Sequence, residues 1–354
     1  MQTVLTDYLA TKTYHRVLLI SAIILVFLCG TGYSQEKIWR VGMFSFFDNL
    51  EFGGSEVKIP QTMSGVMFAP EGGLRWDSVH RISVGINLMH EFGNSEVIHN
   101  FYPTAFYELT KGPFDFIMGA FPRDRITNNY PRLFIQDSVS YYRPNIEGIF
   151  LEFRHNDSYV KAWLDWTGRM SRTVREAFIA SINGRYNYKI LYVEHFGHMY
   201  HYAGEMDPVV SEAYHDNLLF KTSAGVNLSG MTFFDKLEMN AGWVAGFERA
   251  RADNTGWIKM NGFSTETRVE YKGIGMFNTY YNGDGLMVFY EDHGSDLYWG
   301  DPVYRAGKYN RTDFYISFFR NRQIDMELTY SLHFLEGSIY HEQMLKVKID
   351  LNNL

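Results

Sequence analysis

From Ile324 to Phe334 every even position is apolar and every odd position polar. Ile324, Met326, Leu328, Tyr330, Leu332 and Phe334 alternate with Asp325, Glu327, Thr329, Ser331 and His333. An extended strand sends successive side chains to opposite faces, so one face here is wholly apolar and the other wholly polar. About 9–11 tilted residues carry a strand across a bilayer. A strand of this length and facing suits a wall with lipid on one side and water on the other.

The pattern recurs along the chain. It predicts strands near 38–47, 63–76, 80–91, 99–110, 113–121, 145–155, 158–167, 176–187, 190–200, 217–229, 236–249, 258–271, 274–282, 308–319, 323–335 and 338–351. The stretch 63–76 is the weakest, because it contains Pro70 and paired glycines. Many of these stretches run to ten residues or more, whereas strands of soluble proteins usually have five or six. Between them the joints alternate, short after even-numbered strands and mostly long after odd-numbered ones. Short turns at one end and long loops at the other are the habit of membrane barrels. Aromatics make up 17% of the chain, a level that suits strands and interface girdles. The net charge of −7 is too mild to point to nucleic acid.

Lys12 and Arg16 precede an apolar run from Val17 to Cys29, and Gly32 and Ser34 follow at small-residue positions. This is the order of a secretory signal peptide, so 1–34 is expected to be removed and 35–354 to form one barrel domain. Cleavage would take away the only cysteine, Cys29. Disulfides and thiolate chemistry would go with it. No stretch after residue 35 offers 18 consecutive apolar residues, so a membrane span must be made by a closed barrel.

Over about 36–354 the alternating strands and uneven joints resemble the Gram-negative outer-membrane β-barrels of the porin-like group. The resemblance implies an all-β fold: a single transmembrane antiparallel up-and-down β-barrel of about 16 strands. It also implies an outer-membrane location, with outer-membrane lipid, lipopolysaccharide and the barrel-assembly machinery as partners. The chain departs from the group in ending Asn352-Asn353-Leu354 rather than on an aromatic residue. A sixteen-stranded barrel is wide enough for an aqueous channel. The expected function is therefore passive, weakly selective diffusion of small hydrophilic solutes, with no enzymatic activity, cofactor or metal.

The lumen face is expected to carry Glu152, Lys161, Glu238, Glu266, Arg268, Glu270, Asp325, Glu327, Lys346 and Lys348. Both signs are present, which argues against strong ion preference. The long joint 122–144 holds Arg123, Arg125 and Arg132, which stand either at a constriction or at an outer rim. The joint 283–307 carries Asp284, Glu291, Asp292, Asp296 and Asp301 beside Tyr298 and Trp299, the composition of a solvated loop.

Two alternatives remain. One is a structural or binding barrel with a plugged lumen. The other is a barrel hydrolase using the segment 195–216, which holds His195, His198, His201, Glu205, Asp207, Glu212, His215 and Asp216. Against it, a strand sends His198 and His201 to opposite faces, and Gly-x-Ser-x-Gly is absent. Finally, two-residue turns at Glu336-Gly337 and Asn156-Asp157 set a register. Asp325 should lie opposite Lys348, Glu327 opposite Lys346, and Glu152 opposite Lys161.

Overall fold

The computed structural model describes residues 35–172, 174–204, 214–253 and 256–353. The expected signal peptide lies outside them, as do Glu205, Asp207 and Glu212 of the His/acid segment. The strands are β1 (Glu36–Glu51), β2 (Gln61–Trp76), β3 (His80–Glu91), β4 (Asn100–Lys111), β5 (Phe114–Pro122), β6 (Asn145–His155), β7 (Ser158–Gly168) and β8 (Ala177–Tyr188). They continue as β9 (Leu191–Tyr202), β10 (His215–Asn227), β11 (Lys236–Ala250), β12 (Ile258–Tyr271), β13 (Ile274–Gly283), β14 (Lys308–Arg320), β15 (Ile324–Leu335) and β16 (Ser338–Asn352). Each pairs with its neighbours in sequence, and β1 closes on β16 with Val41 opposite Leu351. The fold is thus a closed antiparallel barrel of sixteen strands.

The joints sort by end. At the end holding both strand termini they cover 77–79, 112–113, 156–157, 189–190, 272–273 and 321–323, with a longer one at 228–235. At the other end they reach 123–144 and 284–307. Lys272 and Gly273 both take positive φ, as do Glu336 and Gly337, which is the backbone of a type I′ hairpin turn. That geometry sets the register of the last hairpin: Leu335 faces Ser338, Glu327 faces Lys346 and Asp325 faces Lys348. Across Asn156-Asp157, where Asn156 alone takes positive φ, Glu152 faces Lys161. The weak candidate is a full strand. Pro70 lacks an N–H, and the β2–β3 ladder skips from Phe68–Leu88 to Glu71–Gly85 around it, while pairing with β1 continues through Val41.

Facing follows the alternation. Trp166, Trp243 and Leu328 stand exposed on the outside, whereas Asn87, Asp165 and Glu270 are buried on the inside. Trp243 is 56% exposed and Asp165 2%. An apolar outer wall facing no protein is the surface that lipid covers, because a bare apolar belt this extensive is unfavourable in water. The other apolar cluster lies inside the barrel, where Phe46, Met67, Met89, Phe121, Ile146, Val244 and Tyr309 gather around the two long joints.

Candidate functional site

Both long joints fold into the lumen. The first carries α1 (Asp124–Thr127) and α2 (Asp137–Tyr142); the second carries α3 (Tyr290–His293) and a 3-10 turn (Pro302–Ala306) capped by Asp301. They meet through backbone bonds: Gln136 N–H donates to the Trp299 carbonyl at 2.7 Å, and Asp301 N–H to the Arg132 carbonyl at 2.8 Å. Gly300 sits between these contacts. A Cβ there would come within 2.2 Å of the Leu133 carbonyl oxygen, so a side chain would force the two segments apart. Together they form a plug. The expectation that 283–307 is a solvated loop is corrected here: Tyr298, Trp299 and Asp301 are buried. The physical reason is that the loop has apolar wall to pack on.

The plug is held to the wall by ion pairs that use most of the arginines predicted from sequence. The Arg123 guanidinium is buried against Asp165 of β7, donates to the carbonyls of Arg143 and Asn145, and lies 4.8 Å from the Trp299 ring. Arg125 donates to Glu108 of β4 at 2.7 Å. Arg132 bridges Asp137 at 2.6 Å and Asp313 of β14 at 3.1 Å. On the opposite wall Lys346 donates to Asp137 at 2.6 Å, and Lys348 pairs with Asp124. The joint 122–144 is therefore inside the lumen and not at a rim.

Two plug carboxyls are tuned by this arrangement. Burial alone would raise Asp137, but Arg132 and Lys346 outweigh it and hold the carboxyl well below its ordinary range. Asp124, at the wetter edge of the plug, is lowered by the charge of Lys348.

Below the plug, toward the strand termini, lies a cavity of about 690 Å³. Of the predicted lumen residues, Arg123, Arg132, Glu238, Glu266, Arg268, Glu327, Lys346 and Lys348 line it. Glu152 and Lys161 form their ion pair at 3.7 Å beside it, with Arg154 also on Glu152 at 2.7 Å. Glu270 is tied to Lys236 at 3.0 Å and to Tyr315 at 2.9 Å. Asp325 is exposed near the terminus end of β15. Arg185, which strand parity also assigns to the lumen, shares the cavity wall with Arg40, Glu194 and Asp313, which the sequence reading missed. Their inward parity was readable, but nothing local ranked them above other charges.

The segment 195–216 divides as parity requires. His198 points inward, buried against Tyr130, Phe134 and Trp163. His201 points outward at the long-joint rim, its Nδ1 3.0 Å from Asp216 Oδ1. His195, also outward, meets the Thr222 hydroxyl at 2.8 Å. His215 faces His293 of α3 across 2.9 Å.

Wall, belt and plug define a membrane-spanning barrel of the porin-like outer-membrane type. Residues 33–349 match the model of the lipid A 3′-O-deacylase-type family, and the chain belongs to that family. Solved structures share the fold. A loop-deletion mutant of OmpT, an outer-membrane protein of Vibrio cholerae, aligns with a TM-score of 0.55 and 10% identity, over 90% of this chain and 100% of its own. OprD of Pseudomonas aeruginosa aligns at 0.53 and 8% identity, over 89% and 94%. OccK2 of the same organism, solved with glucuronate, aligns at 0.52 and 10% identity, over 90% and 99%. A search of the curated proteins gives no match.

Family membership corrects the expectation of a barrel without enzymatic activity, since the family is described by an enzyme. That expectation looked for a nucleophile motif within one stretch of chain. His201 and Asp216, both within the segment 195–216 of the hydrolase alternative, are brought side by side on the outward face by the β9–β10 pairing.

Proposed function

We propose that the protein is a porin-like conduit of the outer membrane, closed by its own plug in the state described, for small hydrophilic solutes. The observation that carries this is the 690 Å³ cavity, whose lining mixes both signs of charge contributed by wall and plug. A lumen of mixed sign accepts polar solutes without excluding either sign strongly. Passage requires the plug to shift. Residues 1–34 are the cleaved signal that directs export; the mass of the mature chain tests this. In planar bilayers the intact barrel should give rare, brief openings. A variant with 124–142 replaced by a short Gly/Ser linker should give steady steps. A linker variant that is folded, as judged by heat-modifiable electrophoretic mobility, and yet electrically silent would reject the conduit.

A second reading is supported by the family match and by the outward His201–Asp216 pair. In it, the barrel cleaves an acyl ester of a lipid lying against its wall. Asp216 fixes the imidazole through Nδ1–H, leaving Nε2 to take a proton from water. The water oxygen attacks the ester carbonyl, the acyl C–O bond breaks, and the proton passes to the departing alkoxide. A free fatty acid and an alcohol result. Mass spectrometry of lipid A vesicles incubated with the protein tests it. His201→Ala should lower fatty-acid release by roughly 10²–10⁴-fold, and His195→Ala should leave it unchanged. Equal release from wild type and His201→Ala would sink the role of the pair.

A further inference from the structure

We infer that the outward rim of β8 to β11 is a binding site for the phosphate of a lipid headgroup. The starting observation is a carboxylate in an unusual place. Along β10, Lys221 and Ser223 are buried on the lumen side, so Asp216 belongs to the outward set with Leu218 and Phe220. A charge on the lipid face costs about 2–4 kcal/mol for Lys or Arg at the midplane and about 0–1 near the interface. Asp216 stands in the second residue of β10, beside the last residues of β9 and β11. It therefore marks headgroup level, with Trp243 and Phe247 of β11 continuing the apolar belt below it.

What surrounds Asp216 gives the site its sign. Arg249 donates through Nε at 2.7 Å, Arg251 through Nε and Nη2 at 2.9 Å each, and His201 stands at 3.0 Å. Two permanent cations share one carboxylate, so the cluster keeps a positive charge even with neutral histidine. A guanidinium offers five N–H donors. Asp216 uses one from Arg249 and two from Arg251. The two side chains are 35% and 45% exposed, so donors remain at the surface.

Both ends of the cluster are walled by aromatic rings. Trp257 lies under Arg249 at 4.3 Å, and Phe178 lies 5.0 Å from the His201 ring. The carboxylate orients two planar forks at the height where lipid phosphates lie, and rings on either side seat the apolar part of a headgroup. Phosphate oxygens match those forks, and the excess charge favours an anionic lipid over a zwitterionic one. The inference needs only that the barrel sits in a membrane. It depends neither on solute passage nor on hydrolysis.

The test is native mass spectrometry of the full-length protein released from detergent, mixed in turn with phosphatidylglycerol, phosphatidylcholine and phosphatidylglycerol plus equimolar inorganic phosphate. Wild type should retain phosphatidylglycerol in preference to phosphatidylcholine, undisturbed by inorganic phosphate. The double variant Arg249→Gln/Arg251→Gln should lose about tenfold of that retention, the scale of one charge-assisted contact. Arg249→Lys/Arg251→Lys should fall between, because the charge stays and the fork is lost. Retention is read on intact lipid and fatty-acid release is read separately, so wild type that retains phosphatidylglycerol and releases nothing overturns the hydrolysis alone, and the two ideas fail separately. Heat-modifiable mobility checks that each variant is a closed barrel. Equal retention by wild type and the Gln variant, or displacement of the lipid by inorganic phosphate, would overturn the proposal.

Discussion

Toward the strand termini the barrel turns Arg40, Arg185, Glu194, Glu238, Glu266 and Lys348 into an open cavity. Toward the long joints the same strands turn in Phe46, Leu50, Met63, Met89, Val244 and Tyr200, and the plug fills the space. One wall thus serves two interiors, one wet and one dry. The difference decides what an ion pair is worth. Lys348 and Asp124 are each more than a third exposed, so water screens them and their pairing contributes little. Arg123 and Asp165 are each 3% exposed, and neither ion has water to fall back on. The wet contacts are therefore the ones a solute can exchange with, while the dry ones hold the plug in place.

The sharpest way to break this contrast is to remove one partner in the dry half. Asp165→Asn leaves the Arg123 guanidinium buried beside Trp299 without its carboxylate. Such a loss costs about 3–5 kcal/mol, read from urea unfolding in micelles. Asp124→Asn, made the same way in the wet half, should cost about 1 kcal/mol or less. Equal costs would mean that water reaches both. A smaller effect is expected from Tyr141→Phe. The Tyr141 ring stacks on Phe46 at 4.1 Å and its hydroxyl donates to Asp48 at 3.1 Å. The variant keeps the stack and leaves the buried Asp48 carboxylate one donor short, at a cost of about 1–3 kcal/mol. An unchanged unfolding midpoint would place water at Asp48.

The wall was legible in the sequence and the plug was not. Alternation is a local signal, so Ile324–Phe334 announces its faces without reference to anything distant. The turn Glu336-Gly337 carries its register in two residues. Packing between a loop and a wall has no such period. Lys346 lies opposite Glu327 by register, as expected, yet its amine bonds to Asp137, because the plug presents a carboxylate to it. Hints were present. Phe44, Phe46 and Phe47 put aromatics on both faces of β1, which a strand between lipid and water does not need. Tyr141-Tyr142 and Tyr298-Trp299 put paired aromatics into joints. Each marks apolar surface that must be covered from inside. The rim cluster was hidden for another reason: Arg249 and Arg251 lie 33 and 35 residues from Asp216 in the chain and are brought to it by the β10–β11 pairing.

The plug clamp should respond to acid in a defined direction. Asp137 is held well below its ordinary range by Arg132 and Lys346 against the opposing effect of burial. A carboxyl lowered on folding contributes in full above its unfolded pKa of about 4, and that contribution fades as pH falls through the folded value. The gap in unfolding midpoint between wild type and Asp137→Asn should therefore be constant from about pH 7 to 5 and close below about pH 4. A gap that already shrinks between pH 7 and 5 would show that the carboxyl is not held down.

The smallest effect tests the wall rather than the plug. Glu152 and Lys161 are directly opposed across the Asn156-Asp157 turn, with N and O 3.7 Å apart. Opposite charges at such a pair contribute roughly 0.2–1 kcal/mol, and here Arg154 competes for the same carboxylate at 2.7 Å. Lys161→Gln should therefore lower stability by only about 0.5 kcal/mol, with Arg154 taking over the contact. Removing both cations should cost more than the two single changes added together, because Glu152 then stands buried and unpaired. A double-mutant cycle by urea unfolding measures that coupling. Additive losses would mean that register here is held by the turn and the outer apolar face, with the charges contributing nothing of their own.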